Sequence, residues 1–293
     1  MKLLDGKLIA GQVKDGIATA VKERFLDKGL RQPHLAAVLV GDDPASATYV
    51  SAKEKACREV GFISSVYRYP QNVTQNQLTE VVDFLNADDE IDGFIVQLPL
   101  PPQIDEQRII ERIDPRKDVD GFHPVNIGRM VLNLPCYLPA TPYGIMTLLE
   151  LGQVETAGKH VVVLGRSHIV GTPVSILLSR KATPGNATVT LCHSLTEDLP
   201  AITRKADILI VAMGRQGFVT EEMVKKDAVV IDVGVHRVPA EDTKSGFRLV
   251  GDVDFDTVAP KCSLITPVPG GVGPMTIAAL LQNTLKAAGK EIF

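Results

Sequence analysis

The sequence lacks several features that would indicate particular classes of protein. Its four cysteines are scattered and form no Cys-x-x-Cys pair, so they match neither a zinc site nor a dense disulfide framework. No apolar run approaches membrane-spanning length, and Asp5 and Lys7 interrupt the N-terminal segment where a signal peptide needs an apolar core. The formal net charge of -4 gives no excess positive field for a nucleic-acid backbone. We therefore expect a cytoplasmic protein with reduced thiols that binds no metal, membrane or nucleic acid.

Strands and helices alternate along the 293 residues, a length that suits two medium domains. The run from His34 to Val40 is short, apolar and bounded by Pro33 and Gly41, as is typical of a buried strand in a parallel sheet. The pattern after it is helical up to Gly61. Helices are also predicted at 8–30, 74–85, from about 171 and at 273–289, and strands at 64–69, 93–100, 161–164, 188–191, 208–211, 229–233 and 263–265. The alternation predicts an α/β fold with right-handed parallel sheets.

A stretch rich in proline and charge, residues 114–126, reads as a loop or a domain edge. The predicted organisation is an N-terminal α/β substrate domain at residues 1–138 and a C-terminal Rossmann-like domain at residues 139–273. The final helical segment, residues 274–293, is expected to join the first domain.

A glycine-containing turn, Gly165-Arg166-Ser167-x-x-x-Gly171, follows the strand at 161–164 and opens a helix. Such a turn places backbone N–H groups and a helix N-terminus where a pyrophosphate can bind. It departs from the Gly-x-Gly-x-x-Gly pattern because Ser167 fills the second glycine position and the last glycine comes one residue late. The Ser167 side chain should hold a pyrophosphate farther from the backbone, and its hydroxyl can donate a hydrogen bond. A turn of this type without a ligand is the alternative.

The residues after the next strand favour NADP over NAD. Enzymes that use NAD place an acid there, against the ribose 2′-hydroxyl, but this chain has Cys192-His193-Ser194. The guanidinium of Arg166 and the hydroxyl of Ser194 instead suit a 2′-phosphate.

Tyr49 and Lys53, in "YVSAKEK", have the Tyr-x-x-x-Lys spacing of the short-chain dehydrogenases. In that class the pair follows the glycine turn within one domain, whereas here it precedes Gly165 and lies in a different α/β block. We therefore assign the pair to a substrate domain, where the spacing places both side chains on one face of a helix. Taken singly, an exposed lysine and a packed tyrosine would need no function.

Three further features point to the same site. Gln97 follows a buried strand at its carboxyl end, where open α/β sheets bind ligands, and Asp120 precedes Gly121 in a loop. The loop in "TPVPGGVGPMT" is rich in proline and glycine, which lets its backbone approach a flat ligand closely. Each feature also has an interpretation without a ligand. The Gln97 amide would hydrogen-bond to a loop backbone, Asp120 would form an Asx turn, and the glycine-rich loop would simply connect two domains.

Across essentially the whole chain, these motifs occur in the order and spacing of one family: "YVSAKEKA", "VQLPLP", "KDVDGFHP", "PATPYGIM", "VVLGRSHIVGTP", "CHSLT", "IDVG", "GDV" and "TPVPGGVGPMT". The sequence resembles the bifunctional methylenetetrahydrofolate dehydrogenase/cyclohydrolases. The resemblance implies oxidation of 5,10-methylenetetrahydrofolate to the methenyl form with NADP, followed by hydrolysis to 10-formyltetrahydrofolate. It also implies a homodimer joined through the cofactor domains and a role in one-carbon metabolism and purine biosynthesis.

Carried over to this sequence, the resemblance implies a catalytic set of Lys53, Tyr49, Gln97 and Asp120. Lys53 would be the catalytic lysine, assisted by Gln97, while Tyr49 stacks on the folate and Asp120 holds the pterin. The other substrate contacts would be Val96, Leu98, Pro269, Gly270, Gly271, Val272 and Gly273. The NADP contacts would be Gly165, Arg166, Ser167, Ser194 and Val235.

The chemistry of the two steps suits these residues. Hydride leaves a carbon activated by its adjacent nitrogens, so dehydrogenation mainly needs two flat rings held face to face. Hydrolysis needs proton transfer, for which Lys53 is the obvious group. A free lysine has a pKa of about 10.4, so Lys53 can act as a base only if its pKa is lowered. The alternative role for Lys53 is that of a polarising cation, and the sequence leaves both roles open.

Three other functions compete with this one. A monofunctional NAD(P)-dependent dehydrogenase on the same scaffold would not need Lys53 beside Gln97. A non-catalytic dinucleotide-binding regulator would keep the glycine turn, but it has no reason to combine Tyr49, Lys53, Gln97 and Asp120. The order of the motifs disfavours a short-chain-type reductase.

Overall fold

The structure, a computed structural model, describes residues 2–240, 243 and 246–293. The chain divides into two compact units. The first unit contains the N-terminal residues through Ala10 together with Thr141–Thr276, and the second contains Gly11–Ala140 together with Ile277–Phe293. The predicted α/β fold with parallel sheets is confirmed. The domain boundaries proposed from the sequence stay a prediction.

The elements follow one another in chain order. They are β1 (Lys2–Leu3), α1 (Gly6–Arg24), β2 (His34–Val40), α2 (Pro44–Val60), β3 (Ile63–Tyr69), α3 (Gln75–Ala87), β4 (Gly93–Val96), α4 (Glu106–Arg112), α5 (Pro124–Val131), α6 (Ala140–Leu151), β5 (His160–Leu164), α7 (Gly171–Ser179), β6 (Thr188–Cys192), α8 (Leu199–Thr203), β7 (Ile208–Val211), β8 (Val229–Asp232), β9 (His236–Pro239), β10 (Phe247–Val250), α9 (Phe255–Val258), β11 (Leu264–Ile265) and α10 (Val272–Ala288). Short 3-10 helices lie at Leu26–Lys28, Glu221–Met223 and Ala259–Lys261. Among the described helices, none combines the length and the apolar character that crossing a membrane requires.

The second unit contains a three-stranded parallel sheet in the order β3-β2-β4. Its central strand β2 is buried at every position after His34, as the apolar run predicts. Helix α2 begins where Asp43 accepts the N–H of Ser46, and it ends at Gly61, which adopts the left-handed conformation. These local signals fix the helix that carries Tyr49 and Lys53.

Strand β4 is shorter than predicted. We expected it to run to Leu100, but it ends at Val96. The N–H of Gln97 still donates to the Val38 carbonyl at 2.9 Å. Pro99 and Pro101 then have no N–H to continue the ladder, so the chain leaves the sheet there. Gln97 consequently stands at the carboxyl end of the strand, outside it.

Several helices were missed or bounded wrongly in the second unit. The first helix ends at Arg24 instead of continuing towards Leu30, and the 3-10 helix that follows closes at Gly29. The predicted loop at 114–126 is wrong at its end, because α5 begins at Pro124 with His123 as its cap. Helix α4 was not predicted, since it has only 7 residues and its signal is mainly the cap from Asp105.

The first unit contains a six-stranded sheet in the order β1-β11-β8-β7-β5-β6, in which every paired strand is parallel. Strands β9 and β10 form a separate antiparallel hairpin. The sheet core consists of the apolar faces of β5, β7 and β8, which are almost completely buried. Because β5 and β6 are neighbours, the segments that follow them lie at the same edge of the sheet.

Asn283 of α10 fixes the loop that carries Asp120 within the second unit. Its side chain is fully buried, and its amide nitrogen donates to the carbonyls of Val119 and Leu138 at 2.9 and 2.8 Å. The N–H of Ala140 donates to the Asp120 carbonyl at 3.1 Å. The backbone on both sides of Asp120 is therefore held to its surroundings by hydrogen bonds.

Replacing Asn283 with Ala should leave two buried carbonyls without a donor. Each unsatisfied group costs about 1–3 kcal/mol, so we expect the free energy of unfolding to fall by about 2–4 kcal/mol. Urea unfolding followed by circular dichroism measures this change. The matched control is Asn76→Ala, at an exposed position of α3, which should change the midpoint little. Equal midpoints for Asn283→Ala and the control would contradict the assigned role.

Candidate active site

Lys53 and Gln97 form the centre of the candidate site in the second unit. The Lys53 side chain lies in the interior with 8% of the residue exposed, and its amine donates to Gln97 Oε1 at 3.0 Å. Gln97 Nε2 in turn donates to the Leu98 carbonyl at 2.7 Å. Because the amide nitrogen is used there, its oxygen must face the lysine. The amine is thus held by an acceptor whose orientation is fixed.

Asp120 is the acid coupled to this lysine. Burial lowers the pKa of Lys53, and the negative charge of Asp120 partly reverses that effect. Burial likewise raises the pKa of Asp120, while Lys53 lowers it. The half-buried Asp120 carboxylate accepts no hydrogen bond from any residue that the structure describes. A buried amine and an available carboxylate can together bind a polar heterocycle and move a proton.

Tyr49 lies one turn before Lys53 on α2, as the spacing predicted. The residue is 40% exposed, and burial of the remainder raises the pKa of its hydroxyl, so the phenol is neutral at neutral pH. Its half-exposed ring offers a flat apolar surface on which another ring could stack. Val96, also proposed as a substrate contact, has its side chain buried in the sheet core, and the Leu98 side chain is partly buried against the same core. Contacts of either residue with a substrate stay a prediction.

A second acid, Asp118, shapes the Asp120 loop and was missed from the sequence. It is almost fully buried and accepts hydrogen bonds from the backbone N–H groups of residues 121–123 and from the Asn126 amide. Burial raises the pKa of Asp118 to about 7, while the donors from Asn126, His123 and Phe122 lower it. The available signal was an acid three residues before a glycine turn, the pattern of a side chain that caps its own loop.

The loop Pro269–Gly273 belongs to the first unit. Gly270 has a φ of 110°, which favours glycine. A Cβ on Gly6 would overlap the Gly271 carbonyl, and the N–H of Lys7 donates to the Gly270 carbonyl at 2.9 Å. The glycines therefore already serve close backbone contacts within the unit. Contacts of this loop with a substrate stay a prediction.

The glycines of the turn after β5 allow backbone segments within the first unit to approach one another closely. Gly165 has a φ of 104°, and a Cβ there would overlap the Ala212 carbonyl at the end of β7. A Cβ on Gly171 would overlap the Gly165 carbonyl, so both glycines are required by the turn itself. Ser167 Oγ accepts the N–H of Val170 at 3.2 Å, which leaves its hydroxyl proton available to a ligand.

Arg166 and Ser194 follow two neighbouring strands at their carboxyl ends. Leu164 pairs with Cys192, so Arg166 and Ser194 stand two residues beyond the same register position. Both side chains are exposed, and neither makes a hydrogen bond or ion pair with a described residue. A cation and a hydroxyl in this arrangement, with no acid at the end of β6, fit the 2′-phosphate of a dinucleotide.

Val235, the last proposed cofactor contact, follows β8 at the same edge of the sheet. Its side chain is 42% exposed, while the N–H of Gly234 before it donates to buried Asp232 at 3.0 Å. The described residues contain no group of three or more His, Cys, Asp or Glu side chains that could hold a metal ion.

Comparison with known proteins matches both halves of the chain to one family. Residues 4–120 match the tetrahydrofolate dehydrogenase/cyclohydrolase catalytic domain, and residues 139–292 match the NAD(P)-binding domain of the same family. The chain belongs to the tetrahydrofolate dehydrogenase/cyclohydrolase family. The family predicted from the motifs is confirmed.

Relatives of this tetrahydrofolate dehydrogenase/cyclohydrolase match it over its full length. The bifunctional protein FolD of Cytophaga hutchinsonii is 62% identical, covering 98% of this chain and 99% of its own. The structure of the bifunctional enzyme FolD from Campylobacter jejuni is 46% identical, with a TM-score of 0.92 and 99% of each chain covered. The Trypanosoma brucei methylenetetrahydrofolate dehydrogenase-cyclohydrolase, complexed with NADP cofactor and inhibitor, is 39% identical, with a TM-score of 0.93, covering 99% of this chain and 98% of its own.

Replacing Arg166 with Ala should weaken the binding of NADP far more than that of NAD, because only NADP carries the 2′-phosphate. Hydrogen bonds to a charged group contribute about 1.5–3 kcal/mol, which corresponds to about 10–100-fold in the dissociation constant for NADP. Calorimetric titration with each dinucleotide measures the two constants. The control is Arg204→Ala, an exposed arginine just before β7 begins, at the opposite edge of the sheet. Equal losses for NADP and NAD would refute the assignment.

Proposed function

We propose that this chain catalyses both reactions of its family: NADP-dependent oxidation of 5,10-methylenetetrahydrofolate to 5,10-methenyltetrahydrofolate, and hydrolysis of that product to 10-formyltetrahydrofolate. The observation that carries the proposal is the buried Lys53 amine, which is held by Gln97 and coupled to the Asp120 carboxylate. A dehydrogenase without the second activity, or a non-catalytic regulator, has no use for a buried amine in this position.

In the first reaction a hydride leaves the methylene carbon, and the adjacent nitrogens share the positive charge that remains. NADP, when bound, supplies the hydride acceptor. No strong acid or base is needed, so the protein acts by holding the reactants in position. The Tyr49 ring would stack on the folate, and the Asp120 carboxylate would accept hydrogen bonds from pterin N–H groups.

In the second reaction water adds to the methenyl carbon and loses a proton, and the bond from that carbon to N5 then breaks as N5 gains a proton. We assign both transfers to Lys53. Burial lowers its pKa and so increases the neutral fraction that can accept the proton from water. The resulting ammonium, still held by Gln97 Oε1, can donate the proton to N5. As the formyl C=O forms and the bond to N5 breaks, the hydroxyl left by the added water loses its own proton, which the neutral Lys53 amine accepts and passes to solvent. One residue then serves as base and as acid, and one proton is released for each methenyl cation hydrolysed.

One assay separates this function from its rivals. Methylenetetrahydrofolate is supplied with NADP or NAD, and the absorbance of the reduced nicotinamide is followed together with the methenyl chromophore. A transient methenyl signal with NADP supports both activities. A persistent signal would indicate a monofunctional dehydrogenase, and the absence of both signals would indicate a regulator.

A homodimer joined through the cofactor domains and a cytoplasmic location are further proposals, supported by the resemblance to the family and by the composition. Tetrahydrofolate derivatives are the proposed small-molecule partners, and the net charge of -4 favours no nucleic-acid partner.

Replacing Lys53 with Ala should abolish hydrolysis while retaining at least part of the NADP binding. General acid–base groups contribute about 10²–10⁴-fold, so the hydrolysis rate should fall by at least that factor. The rate is measured as loss of the methenyl chromophore, corrected for the uncatalysed reaction, and NADP binding is measured by calorimetry. The control is Lys55→Ala, because the Lys55 side chain on the same helix is 74% exposed. Unchanged hydrolysis in Lys53→Ala would refute the role.

Replacing Asp120 with Asn should lower the pKa of Lys53 further, because it removes the negative charge that raises it. The protonated fraction of Lys53 at a given pH would then decrease. Titration of lysine labelled with ¹³C at Cε, followed by nuclear magnetic resonance, measures the shift directly. The Lys53 signal is assigned by its absence in Lys53→Ala. A pKa of Lys53 that is unchanged or higher in Asp120→Asn would show that the two groups are not coupled in this way.

A further inference from the structure

Loops of the first unit converge on the buried carboxylate of Asp252, which lies outside the residues proposed to contact substrate or cofactor. Its Oδ2 accepts the N–H groups of Met213 and Gly214, in the loop after β7, at 2.7 and 2.9 Å. Its Oδ1 lies 2.7 Å from Nε2 of His236, which follows β8. Asp252 is fully buried, and both of its oxygens are therefore used within the protein.

A second buried carboxylate, Asp232, holds the segment that contains Asp252. It accepts the backbone N–H groups of Asp252 and Val253, each at 3.0 Å. A Cβ on Gly251 would overlap Asp232, and a Cβ on Gly234 would overlap Asp252, so the glycines allow this close packing. The Asp232 carboxylate therefore holds the backbone at Asp252 in place.

Val235 is held on both sides by these two acids. The N–H of Gly234 before it donates to Asp232, and the imidazole of His236 after it contacts Asp252. The loop after β7 is fixed by the same Asp252, and it adjoins the glycine turn, because the Ala212 carbonyl leaves no room for a Cβ on Gly165. Two of the segments that border the proposed cofactor site thus share one carboxylate.

We propose that His236 is a positioning residue for the cofactor: through Asp252 it fixes Val235 and the Met213–Gly214 loop in the conformation that binds the nicotinamide dinucleotide. This proposal rests on the proposed function only for the identity of the ligand. Asp252 accepts the hydrogen bond, so Nε2 of His236 carries the proton. Without that donor, one oxygen of a buried carboxylate has no partner, and the segment containing Val235 keeps the bond from Gly234 to Asp232 but loses the one to Asp252.

Measuring both activities of a variant distinguishes a defect in cofactor positioning from a general loss of stability. Hydrolysis of methenyltetrahydrofolate needs no dinucleotide, and the residues assigned to it lie in the second unit. A substitution that acts only on the cofactor loops should therefore raise the KM and the dissociation constant for NADP and leave kcat and hydrolysis unchanged. A substitution that merely destabilises the chain should lower both activities.

The test compares His236→Ala and His236→Gln with Arg237→Ala. Glutamine can place an amide N–H near the position of Nε2, so it should restore most of the affinity lost in the alanine variant. Arg237 is the adjacent exposed residue, and its guanidinium lies over the Phe247 ring, 4.3 Å from the ring centroid. We expect about a tenfold weaker NADP affinity for His236→Ala, which is the effect of one hydrogen bond to a charged group, and wild-type affinity for Arg237→Ala.

NADP affinity is measured by calorimetry, which needs no turnover, and the KM and kcat of dehydrogenation and the rate of hydrolysis are measured alongside. Unchanged NADP affinity in His236→Ala would overturn the proposal, as would equal losses of affinity and hydrolysis or a failure of His236→Gln to recover affinity. A wild-type chain that binds NADP but does not oxidise methylenetetrahydrofolate would overturn the proposed function, while the affinities would still decide the role of His236.

Discussion

The hydrogen bond between the Lys53 amine and Gln97 Oε1 is the interaction on which the candidate site depends. Burying an amine is unfavourable unless polar partners replace the water it loses. Here the partners are an amide oxygen from the end of β4 and the charge of Asp120. Their positions require the cap that begins α2, the early end of β4 and the fixed loop after Lys117 to be correct at the same time. Burial of the Lys53 amine is thus favourable only when these three segments are placed correctly relative to one another.

In both units, buried carboxylates that accept backbone N–H groups hold the loops near the proposed sites in fixed conformations. Asp118 organises the turn after Asp120, and Asp232 and Asp252 organise the segments around Val235. A carboxylate can accept several N–H groups at once, so it can fix a loop that has no regular ladder. None of these three acids is proposed to touch a ligand. They resemble one another in function, although they lie in different units and hold different loops.

The parts of the molecule that were predicted from sequence are those with local signals. Strand β2, helix α2 and the turn at Gly165 are fixed by apolar runs, caps and glycines close in sequence. The contact between Lys53 and Gln97 followed from the family resemblance, because 44 residues separate them and no periodicity connects them. The roles of Asp252 and Asn283 could not be predicted, since their partners are distant backbone groups that no side-chain pattern marks. The glycines at 270–271 were interpreted as ligand contacts or as a connection between domains, whereas the loop itself requires them: Gly270 has a φ of 110°, and a Cβ on Gly271 would overlap Pro267 and Thr266.

Each unit is assembled from two segments that are far apart in sequence, and this affects the order in which the units can fold during synthesis. Strand β1 is synthesised long before its partner β11, and the second unit combines Gly11–Ala140 with the residues from Ile277 onward. Domains usually fold in turn during synthesis, beginning with the N-terminal one. Here the first unit is incomplete until β11 has been synthesised, and the second is incomplete until the residues from Ile277 onward have been synthesised. A ribosome-bound chain that stops before β11 would contain neither finished unit.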